Sequence, residues 1–334
     1  MPAEDSLHDR TWMCWPSSKA VWDSDLAAVQ DAIVEIALTI AEFEPVSMLA
    51  RPTEVRAVRR LLRGVTVIEA PVDDLWARDT LPNFLLRRRT DGTLELGASH
   101  ARFNGWGGKQ ISSGDTQLAG LVAKRLSITL TDSGLTGEGG GIEIDGEGTV
   151  LAAASCWVNP NRNPGRTRAQ IESALLSMLG AKRMIWVDGL AGYDITDGHI
   201  DTLARFVNPT TILVDKPAFN DPADPWVKVA ARTRQQVGQA RTASGARYNV
   251  LEIVQPTTVR GTGDDFLSTY MNYYVCNGGV IAPQFGDKNA DAAARTVLER
   301  LFLDRDVVQI NIDALAAGGG GIHCATQQQP STRR

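Results

Sequence analysis

The 334-residue chain has only four cysteines, Cys14, Cys156, Cys276 and Cys324, and no two of them form a C-x-x-C pair. That spacing excludes a disulfide-stapled scaffold and a zinc ribbon, while free thiols suit a reducing compartment. Long apolar runs are missing too: no window approaches the ~18 uninterrupted apolar residues of a membrane helix. The opening 1-MPAEDSLHDR-10 carries charge where a secretory signal needs an apolar stretch. A cytoplasmic protein with no membrane partner is therefore expected. Nor is there a basic excess, since 34 Lys and Arg against 39 Asp and Glu leave a net charge of −5. Nucleic-acid surfaces need the opposite balance, so no nucleic-acid partner is expected.

What the chain does have is a repeated pattern. Four runs read as two short strands joined by a turn: 83-NFLLRRRTDGTLELG-97, 142-IEIDGEGTVLAAA-154, 203-LARFVNPTTILVD-215 and 272-NYYVCNGGVIAPQF-285. Each has Asp-Gly, Asn-Pro or Asn-Gly at its bend. A helical stretch and a single strand follow each: 116–127 then 128–132, 167–179 then 183–187, 224–240 then 248–254, and 289–302 then 307–312. Apolar residues recur at three and four in these helical stretches. A fifth unit is split between the chain ends. Its strand at 11–16, helix at 25–43 and strand at 65–70 lack a hairpin partner, which 321-GIHCATQQQ-329 would supply. The pattern predicts one α/β domain over residues 1–334, with five hairpin-helix-strand units closed into a ring by the first and last strands.

Polar residues gather after the last strand of each unit: 73-DDLWARD-79, 137-GEGGG-141, 194-DITDGHID-201, 264-DDFLSTYMN-272 and 318-GGGGIHC-324. Asp79, Glu138 and His199 are about sixty residues apart, and Cys324 lies about two periods further on. Equivalent points of a closed ring converge on its axis, so a site assembled from distant segments is expected there. A cysteine beside glycines, with a histidine and carboxylates, permits nucleophilic catalysis. Gathering Asp79, Asp201 and Glu138 around a thiolate is costly unless the substrate brings positive charge. A guanidinium does so in a planar fork that paired carboxylates match. Competing readings are structural: Asp79 paired with Arg78, Asp201 capping a turn, Trp106 as a core aromatic, and Asp264 and Asp265 as a solvated loop or a contact for a substrate amine. Cys14, Cys156 and Cys276, in apolar strand-like runs, read as packing thiols. Strand alternation would turn His323 to the face opposite Cys324, making it structural.

The segments 75-LWARD-79, 103-FNGWGG-108, 138-EGGGIEIDGEGT-149, 161-NRNP-164, 196-TDGHID-201, 270-YMNYYVCNGGVIAPQFGD-287 and 318-GGGGIHCATQQQP-330 resemble those of the agmatine deiminases, in the guanidine-modifying superfamily and the bacterial peptidylarginine deiminase-like family. The resemblance runs from about residue 11 to the C-terminus. It implies a five-bladed, pseudo-symmetric α/β propeller. It also implies that Cys324 attacks the guanidinium carbon, Asp79 and Asp201 grip the nitrogens, and Trp76 walls the substrate. His199 would protonate departing ammonia and then activate water, with Glu138 orienting and charging it. The implied reaction converts agmatine to N-carbamoylputrescine and ammonia with no metal or organic cofactor, and a homodimer is the common assembly. Gly321 stands where the family commonly has Asn, Thr136-Gly137 where an apolar pair is usual, and the opening only partly matches a Met-Pro-Gly/Ala-Glu start. These departures, with Arg102 and Arg78 beside the motifs, keep free or peptidyl arginine open as substrates. Amidino transfer, a cysteine hydrolase of ordinary amides and a non-catalytic guanidine-binding module also stay open.

Overall fold

A computed structural model of the chain describes residues 1–261, 263 and 265–333. Its strands form five separate sheets with one recurring topology. In the first, β1 (His8–Cys14), β2 (Val46–Ala50) and β3 (Thr66–Glu69) run parallel. The next joins β4 (Asn83–Arg88) antiparallel to β5 (Leu94–Arg102), and β5 parallel to β6 (Leu130–Thr136). The same arrangement recurs three times. It joins β7 (Ile142–Ile144), β8 (Thr149–Ala153) and β9 (Arg183–Val187); then β10 (Ala204–Asn208), β11 (Thr211–Lys216) and β12 (Asn249–Val254); then β13 (Tyr274–Cys276), β14 (Gly279–Gln284) and β15 (Asp306–Asn311). The last strand, β16 (Thr326–Pro330), returns to the first sheet and pairs antiparallel with β1, Trp12 opposite Gln327.

Parallel strands need a crossover, and helices supply it. Three of them are set by local chemistry: Thr167 and Gln170 form a reciprocal capping box for Arg168–Leu179, Asp224 caps Pro225–Gln239 with Pro at its start, and Asp287 caps Lys288–Leu301. The helix Leu26–Ala41 buries Val29, Ile33, Ile36, Ala37 and Ile40, a stripe at helical spacing. Burying each of the larger side chains is worth about 1.5–3 kcal/mol, so sheet and helix hold together through this face. Among the described residues no helix is long and apolar enough to cross a membrane.

The sequence reading holds for all four hairpins and their helices, and for the pairing of the two ends. It needs three corrections. A further strand and helix, β2 and Val55–Leu61, lie between the first long helix and β3. Residues 321–325 are not strand: Ala325 N donates to Gly321 O and Thr326 N to His323 O, closing a turn before β16 begins. Cys156 sits in the short helix Ala154–Trp157 and not in a strand, although it is buried as expected.

Candidate active site

Each antiparallel pair is entered through a tight turn: Ala77–Thr80 before β4, Gly139–Gly141 before β7, Ile200–Thr202 before β10, Tyr270–Asn272 before β13, and 321–325 before β16. These turns touch in chain order and the circuit closes. Gly140 N donates to Asp79 Oδ1 at 2.9 Å, and His199 Nε2 lies 3.3 Å from Glu138 Oε2. Arg205 Nη1 donates to Met271 O at 3.4 Å, and His323 N to Asn272 O at 3.1 Å. Arg78 N then donates to Cys324 O at 3.0 Å, joining the last turn to the first.

Asp79, Glu138, His199, Asp201, Trp76 and Cys324 are thereby brought to one buried place. Gly140 stands in its middle. A Cβ there would lie 2.6 Å from His199 Nδ1, 3.0 Å from Asp79 Oδ1 and 3.2 Å from Asp201 Oδ2, so the position has to be bare. A cavity of about 520 Å³ opens onto Trp76, Asp79, Trp106, His199, Asp201 and Cys324. Asn272 Nδ2 donates to Cys324 Sγ at 3.2 Å, and Cys324 Sγ lies 3.5 Å from Asp201 Oδ2. Among the described residues Asp201 Oδ1 is buried with no hydrogen-bond partner, an expensive state for a carboxylate oxygen unless a ligand donor fills it. The Gly320 position is also forced: a Cβ would come within 2.2 Å of the Trp76 ring, so the glycine run lets the cavity wall lie against the backbone before Cys324.

Charge is unevenly distributed over this set. Burial, then Asp201 and Asp79, push the Cys324 thiol well above its ordinary value. Burial works against the charged His199 ring, but Asp79, the Glu138 hydrogen bond and charge, and Asp201 together push it up to about 9. Burial would likewise raise Glu138 and Asp201. The contacts of Glu138 with His199 and Arg162, and those of Asp201 with His323, outweigh it and hold both below the usual range. Burial dominates at Asp79 and raises it, despite His199 nearby. At neutral pH the site thus holds a thiol, an imidazolium and several carboxylates, and has room for a further cation. Among the described residues no group of three or more His, Cys, Asp or Glu is arranged to hold a metal ion.

Several expectations about neighbours change. Trp106 is buried but is more than core: its Nε1 donates to Asp79 Oδ2 at 2.9 Å, and it lines the cavity. Arg78 does not pair with Asp79; it reaches Glu4, Gln327 and Gln328. His323 is not turned away by strand alternation, because it lies in the turn, where its Nδ1 is 2.8 Å from Asp201 Oδ2. Asp264 lies outside the described residues, while Asp265 lines the cavity. Two residues that sequence reasoning passed over belong here. Asn272 holds the cysteine from both sides, its Oδ1 accepting from Cys324 N. Arg162 bridges Glu138 Oε1 and Asp197 Oδ2, each at 2.8 Å. The NRNP segment and the position of YMN before its hairpin were the available signals.

The profile of the Porphyromonas-type peptidyl-arginine deiminase family matches residues 1–330. The chain belongs to this family. The chain is similar to an agmatine deiminase of Stutzerimonas stutzeri, 35% identical, the match covering 99% of this chain and 95% of that protein. An agmatine deiminase of Medicago truncatula is 32% identical, over 99% and 96% of the two chains. Among solved structures, the agmatine deiminase of Enterococcus faecalis superposes with a TM-score of 0.92 at 27% identity, covering 99% of this chain and 96% of its own.

Proposed function

We propose that this protein hydrolyses agmatine to N-carbamoylputrescine and ammonia through a covalent amidino-cysteine, on a single-domain α/β propeller whose five sheets are its blades. The observation that carries the substrate is the lining of the cavity. Among its described residues eight are aspartates and none is lysine or arginine. A guanidine with a cationic tail suits such a wall, whereas the carboxylate of free arginine would meet this excess of aspartates with no lysine or arginine among the described lining residues to pair with. Arg102 is exposed and paired with Asp132, and Arg78 is taken by Glu4 and the C-terminal glutamines, so neither supplies that partner. The agmatine deiminases among its relatives agree with this reading.

The guanidinium sits between Asp79 and Asp201, with the open Asp201 Oδ1 accepting an N–H. Its positive charge offsets the two carboxylates that keep Cys324 protonated, so the thiol gives up its proton to solvent through the cavity and the thiolate forms as substrate arrives. Asn272 Nδ2 supports the sulfur. Cys324 Sγ adds to the guanidinium carbon, and His199 donates its proton to the departing nitrogen, which leaves as ammonia. His199, now neutral, takes a proton from water; the hydroxide adds to the amidino carbon, the C–S bond breaks, the hydroxyl proton passes to the leaving sulfur to restore the thiol, and the ureido product leaves. Glu138, anchored by Arg162, keeps the imidazole charged and aimed.

Purified protein given agmatine, arginine, a peptidyl-arginine and a neutral-tailed alkylguanidine, with ammonia and ureido product measured, tests this. Ureido product from agmatine that disappears in Cys324→Ala is the expected result. Faster turnover of arginine would overturn the substrate assignment, and transfer to an added amine in place of water would overturn hydrolysis.

A further inference from the structure

We propose that Glu4 is a positioning residue for Asp201, acting through His323. This rests on the guanidine-gripping role proposed for Asp201. Glu4 lies in the opening stretch, far in sequence from every site residue, yet its carboxylate is nearly enclosed. Its Oε2 is 2.9 Å from His323 Nε2 and 3.1 Å from Arg78 Nη2; its Oε1 accepts from Arg205 Nη2 at 2.8 Å and from Val275 N at 2.9 Å. His323 then reaches Asp201 Oδ2 at 2.8 Å with its other ring nitrogen. The chain of contacts Glu4, His323, Asp201 ends one atom from Asp201 Oδ1, which has no hydrogen-bond partner among the described residues.

The chemistry of this arrangement constrains it. An ionised carboxylate only accepts hydrogen bonds, so a ring held between two of them donates on both sides and carries a charge. The groups facing it are Glu4, Asp201 and, at 3.9 Å, Glu143; Arg205, bonded to both glutamates, lies beyond. Asp201 itself faces His323, the Cys324 thiol and, further off, His199, Arg205 and Asp79. Burial, with acids and a thiol beside it, favours a protonated Asp201, and the hydrogen bond and charge of His323 oppose this first, ahead of His199 and Arg205. A protonated Asp201 cannot grip a guanidinium with both oxygens. Glu4 therefore keeps the ring charged and facing Asp201, and so prepares the carboxylate before substrate arrives.

The alternative is that Glu4 merely pins the opening stretch, and the test separates the two. Glu4→Gln keeps the shape and removes the charge. It is expected to raise KM for agmatine about tenfold or more while kcat changes by less than about threefold. The acid limb of kcat/KM should move to higher pH, because Asp201 then holds its proton longer. Glu4→Asp, which keeps the charge, should recover part of both effects, and shows a partial shift in the same direction should the Gln protein not fold. Arg305→Gln frees the same stretch at Asp5 O without touching His323, and should leave KM and the acid limb unchanged. Wild-type KM and acid limb in Glu4→Gln, or the same shift in Arg305→Gln, would overturn the proposal. Ring ¹⁵N resonances of His323 decide the relay apart from turnover. Loss of one ring N–H in Glu4→Gln supports it, and a ring still carrying both overturns it, even if the wild-type protein turns over no guanidine and the functional reading fails.

Discussion

In the proposed reaction His199 is the proton donor, and its surroundings fix where its protonation shows. With its proton held up to about 9, kcat/KM should fall as pH rises past that value, because the neutral ring cannot protonate departing ammonia. Glu138→Gln removes a charge that raises His199, so the alkaline limb should move to lower pH; a limb that stays in place would deny Glu138 this role. Trp106→Phe removes the indole N–H from Asp79 and should raise KM several-fold with kcat little changed, the weight of one hydrogen bond to a charged group, as steady-state kinetics would show. The convergence of Cys324, His199 and the acids was legible in the sequence because their side chains carry chemistry wherever they occur. Trp106 and Asn272 were not, since an indole or an amide gains its role only from what it faces. His323 was misjudged for the same reason: alternation along an assumed strand turned it away from Asp201, whereas a turn brings it there.

At the level of elements, the candidate site lies in the turns that precede the hairpins, and the strands and helices serve to aim them. Hairpins and crossover helices were readable from period and turn residues, but the boundary at 321–326 was not: a five-residue run ahead of a strand looks the same whether it extends the strand or closes on itself. The glycines before Cys324 tell more. A Cβ on Gly320 would meet the Trp76 ring at 2.2 Å, and Trp76 in turn packs on Trp22 with ring centroids 6.0 Å apart. Gly320→Ala should therefore displace the cavity wall and cut kcat/KM by at least about tenfold, while circular dichroism shows the fold retained. Unchanged kinetics would mean that the wall yields without consequence.

Across the whole molecule, the first and last strands pair over more than three hundred residues, with Trp12 Nε1 donating to Gln329 Oε1 at 2.9 Å. Contacts so distant in sequence form late and at high entropic cost, and the only sequence sign of this one was a fifth unit lacking its partner strand. Buried acids set the pH range over which the assembly is stable. Burial pushes Asp215 up to about 7 and Asp115 up to about 8 from an ordinary 3.8. Folded-state values above the unfolded ones mean stability that is complete below about pH 4 and is lost as pH rises through 7 to 8. His199 adds to the same trend between its ordinary 6.5 and about 9. Thermal unfolding should accordingly show Tm falling as pH rises from about 4 to about 9, with Asp215 contributing up to about pH 7, Asp115 up to about 8 and His199 between its ordinary 6.5 and about 9. Asp215→Asn, whose amide can still meet Thr269 and Gln255, should flatten part of that fall; an identical slope in the variant would remove Asp215 as a cause. The chemistry itself is open to intact-mass spectrometry of the protein acid-quenched during turnover of agmatine. The expected result is a population heavier by agmatine less ammonia, with the added group mapped to Cys324 and absent from Cys324→Ala. Turnover with no adduct, or an adduct on another residue, would contradict nucleophilic attack by Cys324.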